Sequence, residues 1–331
     1  MSGDRRGSRP SGPVILLVAL LVLTGCAAPT GPSPVTAAAP VVLPAGAGPA
    51  VPDASSSGCT ASWPPMRDLP APGHMPAGYL YTIQQRGHLT VGVDQNTNQW
   101  GYLDPQGHYR GFDIDMLRQV AIALFGRVTR ENLVFVVVPN ADRAAAVNSG
   151  AVDIVAETMT ITCKRWKDVD FSSVYYEAEQ RVLVPNGSTI TSVPDGLAGK
   201  RVCAAATSTS LARLGRLQLS PPVVPWQART QADCLVLLQQ GQVDAVSTDD
   251  TILRGMVAQD PSLHIVAGSA LEPEPYGMAI SAAHRQLTEF VNGVLERVRR
   301  HTWAQIYRNN SIGPTPPTPP TATYRTAASS P

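Results

Sequence analysis

The chain has 331 residues, 44% of them hydrophobic and 15% charged, with a formal net charge of +1. That length and apolar content supply cores for two ordinary domains, and the near-neutral balance leaves no basic surplus to hold a nucleic-acid backbone. Six scattered histidines and no Cys-x-x-Cys pair argue against a structural zinc site.

Residues 1–26 read as an export signal. Arg5, Arg6 and Arg9 give a positive start, and Val14 to Leu23 is an apolar run too short to span a bilayer as a mature helix. The run ends in Leu23-Thr24-Gly25-Cys26, similar to a bacterial lipobox. We therefore expect Cys26 to become the lipidated N-terminus that anchors the protein outside the cell membrane. A plain secretory signal with an incidental cysteine is the alternative. Residues 27–58 are Ala, Pro, Gly, Ser and Val with almost no charge, the composition of a flexible tether. The Pro/Thr-rich segment 313–331 is expected to stay unfolded as well.

Between these ends the elements alternate. Tyr79 to Arg86 reads as a short helix stopped by Gly87, and Leu89 to Val93 as a strand. From Gly111 to Leu124, the residues Leu117, Val120, Ala121 and Leu124 fall at i, i+3, i+4 and i+7, which marks one buried helix face. Leu133 to Val138 is an apolar strand, and Asn140 is placed to cap a helix running to Asn148 before Gly150. Strands and helices in this alternation make an α/β architecture.

The stretch after the next short strand, 152–156, carries the first chemistry. Thr158 and Thr160 alternate on one face of an extended chain, and Arg165 follows within reach of the same space. Hydroxyls beside a guanidinium fork suit a carboxylate, because the fork donates two parallel hydrogen bonds. The sequence also echoes itself. Ala146 to Val155 parallels Leu237 to Val246, and Gly87 to Val91 parallels Gly199 to Cys203, in the same order. Two related α/β lobes follow, and the echo makes Thr158 and Asp249 equivalents just past the C-terminal end of a strand, where open parallel sheets bind ligands. Arg165 and Asp249 would then bracket one cleft, a cation on one wall and an anion on the other, which fits a zwitterion. Gln180 to Pro185 and Pro275 to Ile280 read as the two crossings between lobes, and so as the hinge. Helices over 286–298 and 302–309 return to the first lobe.

Four cysteines remain in the exported part, and they allow three pairings. We favour Cys203–Cys234 inside one lobe and Cys59–Cys163 tying the incoming tether to the loop before Arg165; free buried thiols are the alternative.

With these residues assembled, the chain resembles bacterial extracellular solute-binding proteins of family 3, the polar amino-acid receptors of ABC importers, over about Tyr79 to Asn310. The resemblance rests on Gly111-Phe112-Asp113-Ile114-Asp115-Met116, on Thr160-Ile161-Thr162-Cys163-Lys164-Arg165 with Asp170-Phe171-Ser172 and Tyr175, on Thr207 to Ser210, on Val243 to Val246 with Asp249, and on Pro275-Tyr276-Gly277. Within the family, the lipobox and the Cys203/Cys234 pair make it resemble the actinobacterial glutamate- and glutamine-binding lipoproteins. It implies a two-lobe, type II periplasmic-binding-protein fold with a hinge of two crossing strands, lobe 1 being 59–182 plus 276–312 and lobe 2 being 183–275. It also implies that Arg165 holds the ligand α-carboxylate with Thr160, Ser208 and Thr209, and that Asp249 takes the α-ammonium beside the Thr158 carbonyl. Arg143 stands where the family's receptors for acidic amino acids carry an arginine for the side-chain carboxylate; a helix-surface arginine is the alternative. Asp94, Thr97 and Trp100 would line the side-chain end, unless Trp100 is core or a lid. Cys163 replaces a usual proline, and Thr207 stands where glycine is common.

The function implied is a lipid-anchored, monomeric receptor without cofactor that closes on glutamate, aspartate, glutamine or asparagine for a membrane permease or a membrane sensor. A dehydratase-like enzyme would need Glu157 or Asp250 as proton-transfer group, and a metal site would need Asp244, Asp249 and Asp250 to converge.

Overall fold

The computed structural model describes residues 47–49, 59–268 and 270–325. The expected signal, Cys26 and all of the tether except Ala47–Pro49 lie outside the described residues, as does the end of the tail, 326–331.

Two sheets organise the chain. In the first, of five strands, Leu89–Val93 lies parallel to Leu133–Val137 on one side and to Ile154–Val155 on the other. The short strands Ala279–Ile280 and Asp170–Phe171 complete it, the former antiparallel to Ile154–Val155. The helix Phe112–Phe125 packs on this sheet through Leu117, Val120, Ala121 and Leu124, all fully buried. It must start at a glycine: Gly111 has φ +124°, and a Cβ there would lie 1.9 Å from the Trp100 carbonyl oxygen. The expected apolar strand forms over Leu133–Val137 and is only partly buried. It sits at the sheet edge, and Val134 and Val137 face outward. Nor does Asn140 cap the next helix, which runs Arg143–Asn148 after Asp142; instead the Asn140 carbonyl accepts from Arg143 Nε.

The second, seven-stranded sheet repeats the order. Arg201–Ala205 is parallel to Val224–Ala228 and to Ala245–Asp249, and the long strand Tyr176–Pro185 runs antiparallel beside the last of these. The repeated sequence becomes a repeated hydrogen-bond clasp. Asp153 Oδ2 accepts from the Thr90 amide at 2.8 Å, while the Asp153 amide donates to the Thr90 carbonyl. Asp244 Oδ2 accepts from the Arg201 amide at 2.7 Å, and the Asp244 amide donates to the Arg201 carbonyl. Each aspartate thus fixes the register of a central strand against its neighbour. Cys203 joins this sheet to Cys234 on the helix Gln231–Gln239, whose start is held by a capping box of Thr230 and Asp233. The other disulfide is Cys59–Cys163.

The first passage between sheets lies earlier than expected, while the second falls within the expected 275–280. Gln180–Pro185 is no crossing but the body of the long strand, paired from Gln180–Asp249 to Leu183–Val246. The chain leaves the five-stranded sheet over Ser172–Tyr175 and returns over Gly277–Met278, the two passages bonded to each other by Ser172 N–H to Met278 O and Tyr175 N–H to Tyr276 O. Close packing demands the second glycine: a Cβ on Gly277 would lie 2.7 Å from Ile161 Cδ1. The returning strand, Glu272–Tyr276, pairs antiparallel with 176–180.

The tail is the clearest correction. Residues 313–325 are not loose but end beside the first described residues of the folded body, with Tyr324 in a parallel bridge to Ser62 and the Arg325 amide donating to the Ser62 carbonyl at 2.8 Å. The Arg325 guanidinium lies 3.9 Å from the Trp166 ring centre and 4.9 Å from that of Trp63. A Pro/Thr segment cannot make a core of its own, but it can be held by a bridge to a neighbouring segment and by one cation against two aromatic rings. Likewise Gly48–Pro49, in the expected tether, pairs antiparallel with Trp226–Gln227 at the rim of the larger sheet.

Candidate functional site

The C-terminal ends of both sets of parallel strands open on one small cavity. From the first sheet's side it is lined by Asp94, Thr97, Arg143, Thr158, Thr160 and Arg165, and from the second by Ser208, Thr209 and Asp249. Nine of the ten residues singled out from sequence therefore meet. The tenth, Trp100, does not line it. Fully buried, it packs edge-on against Tyr176 at 4.5 Å and Tyr276 at 5.6 Å between ring centres, and belongs to the core behind the cavity. Its apolar bulk is better placed there than against polar ligand groups.

The signature helix shapes the cavity through one carboxylate. Asp113, fully buried, accepts from the Thr158 amide at 2.8 Å and from the Tyr175 hydroxyl at 2.6 Å. That grip holds Thr158 at φ +41°, a conformation threonine seldom adopts. Thr207, where the resemblance led us to expect glycine, has φ +61° on the opposite wall. There the Ser208 hydroxyl caps the helix Thr209–Arg216 by accepting from the Leu211 amide.

Arg165 heads the short turn Arg165–Lys167, half-buried, and spans the cavity floor. Its Nη1 donates to the Thr160 carbonyl at 2.6 Å and its Nη2 to the Thr207 carbonyl at 3.3 Å. Burial, and then repulsion by Arg143, push its pKa down to about 9, so it stays cationic at neutral pH. A charge so disfavoured gains from an anion placed against it. Asp249 ends its strand in the opposite situation. It accepts from the Tyr276 hydroxyl at 2.5 Å and is raised above the usual carboxylate range by burial. It gains from a cation.

The far end of the cavity is built around Arg143, no surface residue but 5% exposed. Its Nη1 donates to the Glu157 carbonyl at 3.1 Å. The Asp94 carboxylate accepts from the Gln95 and Asn96 amides and the Thr97 hydroxyl, which fixes that corner.

Sequence reasoning missed Glu274. Fully buried on the returning strand, it accepts from the hydroxyls of Thr160 and, at 2.8 Å, Thr209, one from each wall. Burial and then the nearby Asp249 raise its pKa. An acid between two prolines in a strand gave no signal by pattern; only the fold shows what it faces. Asp250 is turned aside, ion-paired with Arg254 at 2.6 Å, and Asp244 is occupied in its strand clasp. The three aspartates do not converge, and among the described residues no cluster of metal-ligating side chains occurs.

These buried acids set a pH dependence. Burial raises Asp113 to about 7 and Glu157 to about 8. The folded form holds protons that the unfolded chain releases, so this contribution to stability is complete below the unfolded pKa, near 4, and is lost as pH rises through 7 and 8. The ligand-free protein should therefore melt at a higher temperature as pH falls from about 8.5 to about 5, by about 2–4 °C for each kcal/mol recovered. Melting curves in that range test it; a flat or opposite trend contradicts the assignment.

A family model described as bacterial extracellular solute-binding proteins, family 3, matches residues 89–310. The chain is 33% identical to the ABC transporter glutamine-binding protein GlnH of Bacillus subtilis (strain 168), over 69% of this chain and 83% of that protein. It is 27% identical to the glutamate-binding protein GluB of Corynebacterium efficiens, over 71% and 82%. Among solved structures, an ancestral arginine-binding protein bound to glutamine superposes with a TM-score of 0.62 at 30% identity, over 68% of this chain and 97% of that one. With the matched model spanning well over half of its length, the chain belongs to the bacterial extracellular solute-binding proteins of family 3.

Proposed function

We propose that this protein is an extracytoplasmic receptor that closes on a free amino acid of the acidic class or its amides: glutamate, aspartate, glutamine or asparagine. The observation that carries the reading is that Arg165 and Asp249, arriving from different sheets, line one cavity. Each charge is disfavoured by its burial until an opposite charge comes. An α-amino acid brings both, its carboxylate to Arg165 with the Ser208–Thr209 helix start behind, its ammonium to Asp249 near the Thr158 carbonyl. The names of the relatives, glutamine- and glutamate-binding, support the class, and Arg143 at the far end offers donors to a side-chain carboxylate or amide oxygen. The two sheets would be the two lobes, with 172–176 and 276–278 as the hinge that lets the cleft open. Lipidation at Cys26 would keep the monomer at the membrane. There a permease, or a membrane sensor, would read the closed form, since ligand-driven closure is a population shift that either can use.

Titration calorimetry over the twenty amino acids is the test. Binding restricted to the four named, or strongest for them, is expected; binding of none of them, or indifference to the α-groups, overturns the reading. Arg143→Ala is expected to weaken the acidic and amide ligands by about tenfold or more, while leaving small neutral amino acids unchanged. Equal losses for every amino acid would remove Arg143 from the selectivity site.

A further inference from the structure

One group at the far end of the cavity is left without a role by the reading so far. Glu157 lines the cavity and is only 5% exposed, and its Oε2 has no hydrogen-bond partner. A buried carboxyl oxygen without a partner costs stability, and the cavity is the space from which a partner can come. The Gln231 side-chain oxygen, on the opposite wall, is likewise buried and unpartnered. Arg143 stands next to Glu157, bonded to its main-chain carbonyl. One donor and one carboxyl therefore face the same ligand terminus.

We propose that Glu157 decides between the acidic amino acids and their amides, accepting a hydrogen bond from a carboxamide N–H when ionised and donating its proton to a ligand carboxylate when neutral. This rests on the receptor reading given above. A carboxamide offers its oxygen to Arg143 and its N–H to an ionised Glu157, so every group is satisfied. A ligand carboxylate can also take Arg143, but against an ionised Glu157 it brings two negative charges together. Once Glu157 carries a proton, the same oxygen that would be repelled becomes its acceptor. The balance falls near neutrality because burial raises Glu157 to about 8, with Asp94 and Asp113 acting in the same direction and Arg143 and Arg165 against it. Asp249 and Arg165 hold groups that all four ligands share, so their own titration cancels when acid and amide are compared at one pH.

The experiment is calorimetric titration of the full receptor with glutamate, glutamine, aspartate and asparagine from about pH 6 to about pH 8.5. The acid-to-amide affinity ratio is expected to fall with rising pH, by as much as about tenfold per pH unit where each protonation state takes only one ligand. In Glu157→Gln, which carries no titrating proton, the ratio should no longer change with pH. A pH-independent ratio in the unsubstituted protein overturns the inference without any variant having to fold, and leaves the receptor reading standing. A pH-dependent ratio that persists unchanged in Glu157→Gln also overturns it. Failure of all four ligands to bind at any pH overturns both.

Discussion

Arg165→Ala is expected to lose about 3–5 kcal/mol of ligand binding, a weakening of more than about a hundredfold in Kd. Most of the effect comes from what is left behind. On the proposed reading, closure takes the ligand α-carboxylate out of water, and its main cationic partner is then absent. The hydroxyls nearby cannot replace it, because those of Thr160 and Thr209 already donate to Glu274. Nor is Arg143 a substitute, since its Nε and Nη1 hold it against the carbonyls of Asn140 and Glu157, at the far end of the cavity. Lysine at 165 should recover only part of the loss, because an ammonium cannot donate in parallel as the guanidinium fork does. Calorimetry at neutral pH checks this, with the melting temperature of the ligand-free variant recorded alongside. Since the native guanidinium is itself held against its solvation and beside Arg143, the empty variant should be no less stable than the parent. An unchanged Kd, or a rise in Kd matched by general unfolding, would remove Arg165 from the role.

The second large effect concerns the cross-link beside that arginine. Cys59 and Cys163 are 104 positions apart in sequence. Loop-closure entropy for a ring of that size gives about 4–5 kcal/mol to the folded state as an upper limit. Replacing both with alanine should therefore shift the denaturant midpoint strongly, and more than removing Cys203–Cys234, which closes a span of only 31. The two variants should also part in binding. Cys163 lies two residues before Arg165, and Trp166 donates from its ring nitrogen to the Cys59 carbonyl. Freeing that strand end loosens the turn that aims the guanidinium. Cys203 and Cys234 lie in the core between strand and helix, and neither lines the cavity. Denaturation curves and titrations of the two double variants give the comparison. Equal stability losses, or equal affinity losses, would contradict the account.

Much of this arrangement was legible before any coordinates. The charged pair Arg165 and Asp249 could be placed in one cleft because side-chain position past a strand end follows from strand–helix alternation, and the internal echo supplied the second strand end. The echo proved to be a shared device, the Asp153 and Asp244 clasps. What escaped was whatever depends on packing between segments distant in sequence. Trp100 has the chemistry of a ligand-stacking residue and of a core residue alike, and only its aromatic neighbours decide between them. Glu274 sits on a strand whose pattern reads as a hinge, so nothing marked it as the acid between two walls. Asn140 looked like a cap because its spacing was right, yet the helix begins three residues later. The tail was misread for a related reason. Composition reports whether a segment can fold by itself and is silent about whether a neighbour will hold it.

The Trp166 ring, one residue from Arg165, is gripped from two directions: by the chain entering at Cys59 and by the chain leaving at Arg325. Both ends of the stretch 59–325 thus converge on the same small turn. Anything fused or tethered to either terminus pulls on a lever whose short arm carries Arg165, so the choice of where to attach a tag, a label or a surface is also a choice about the binding constant that will be measured.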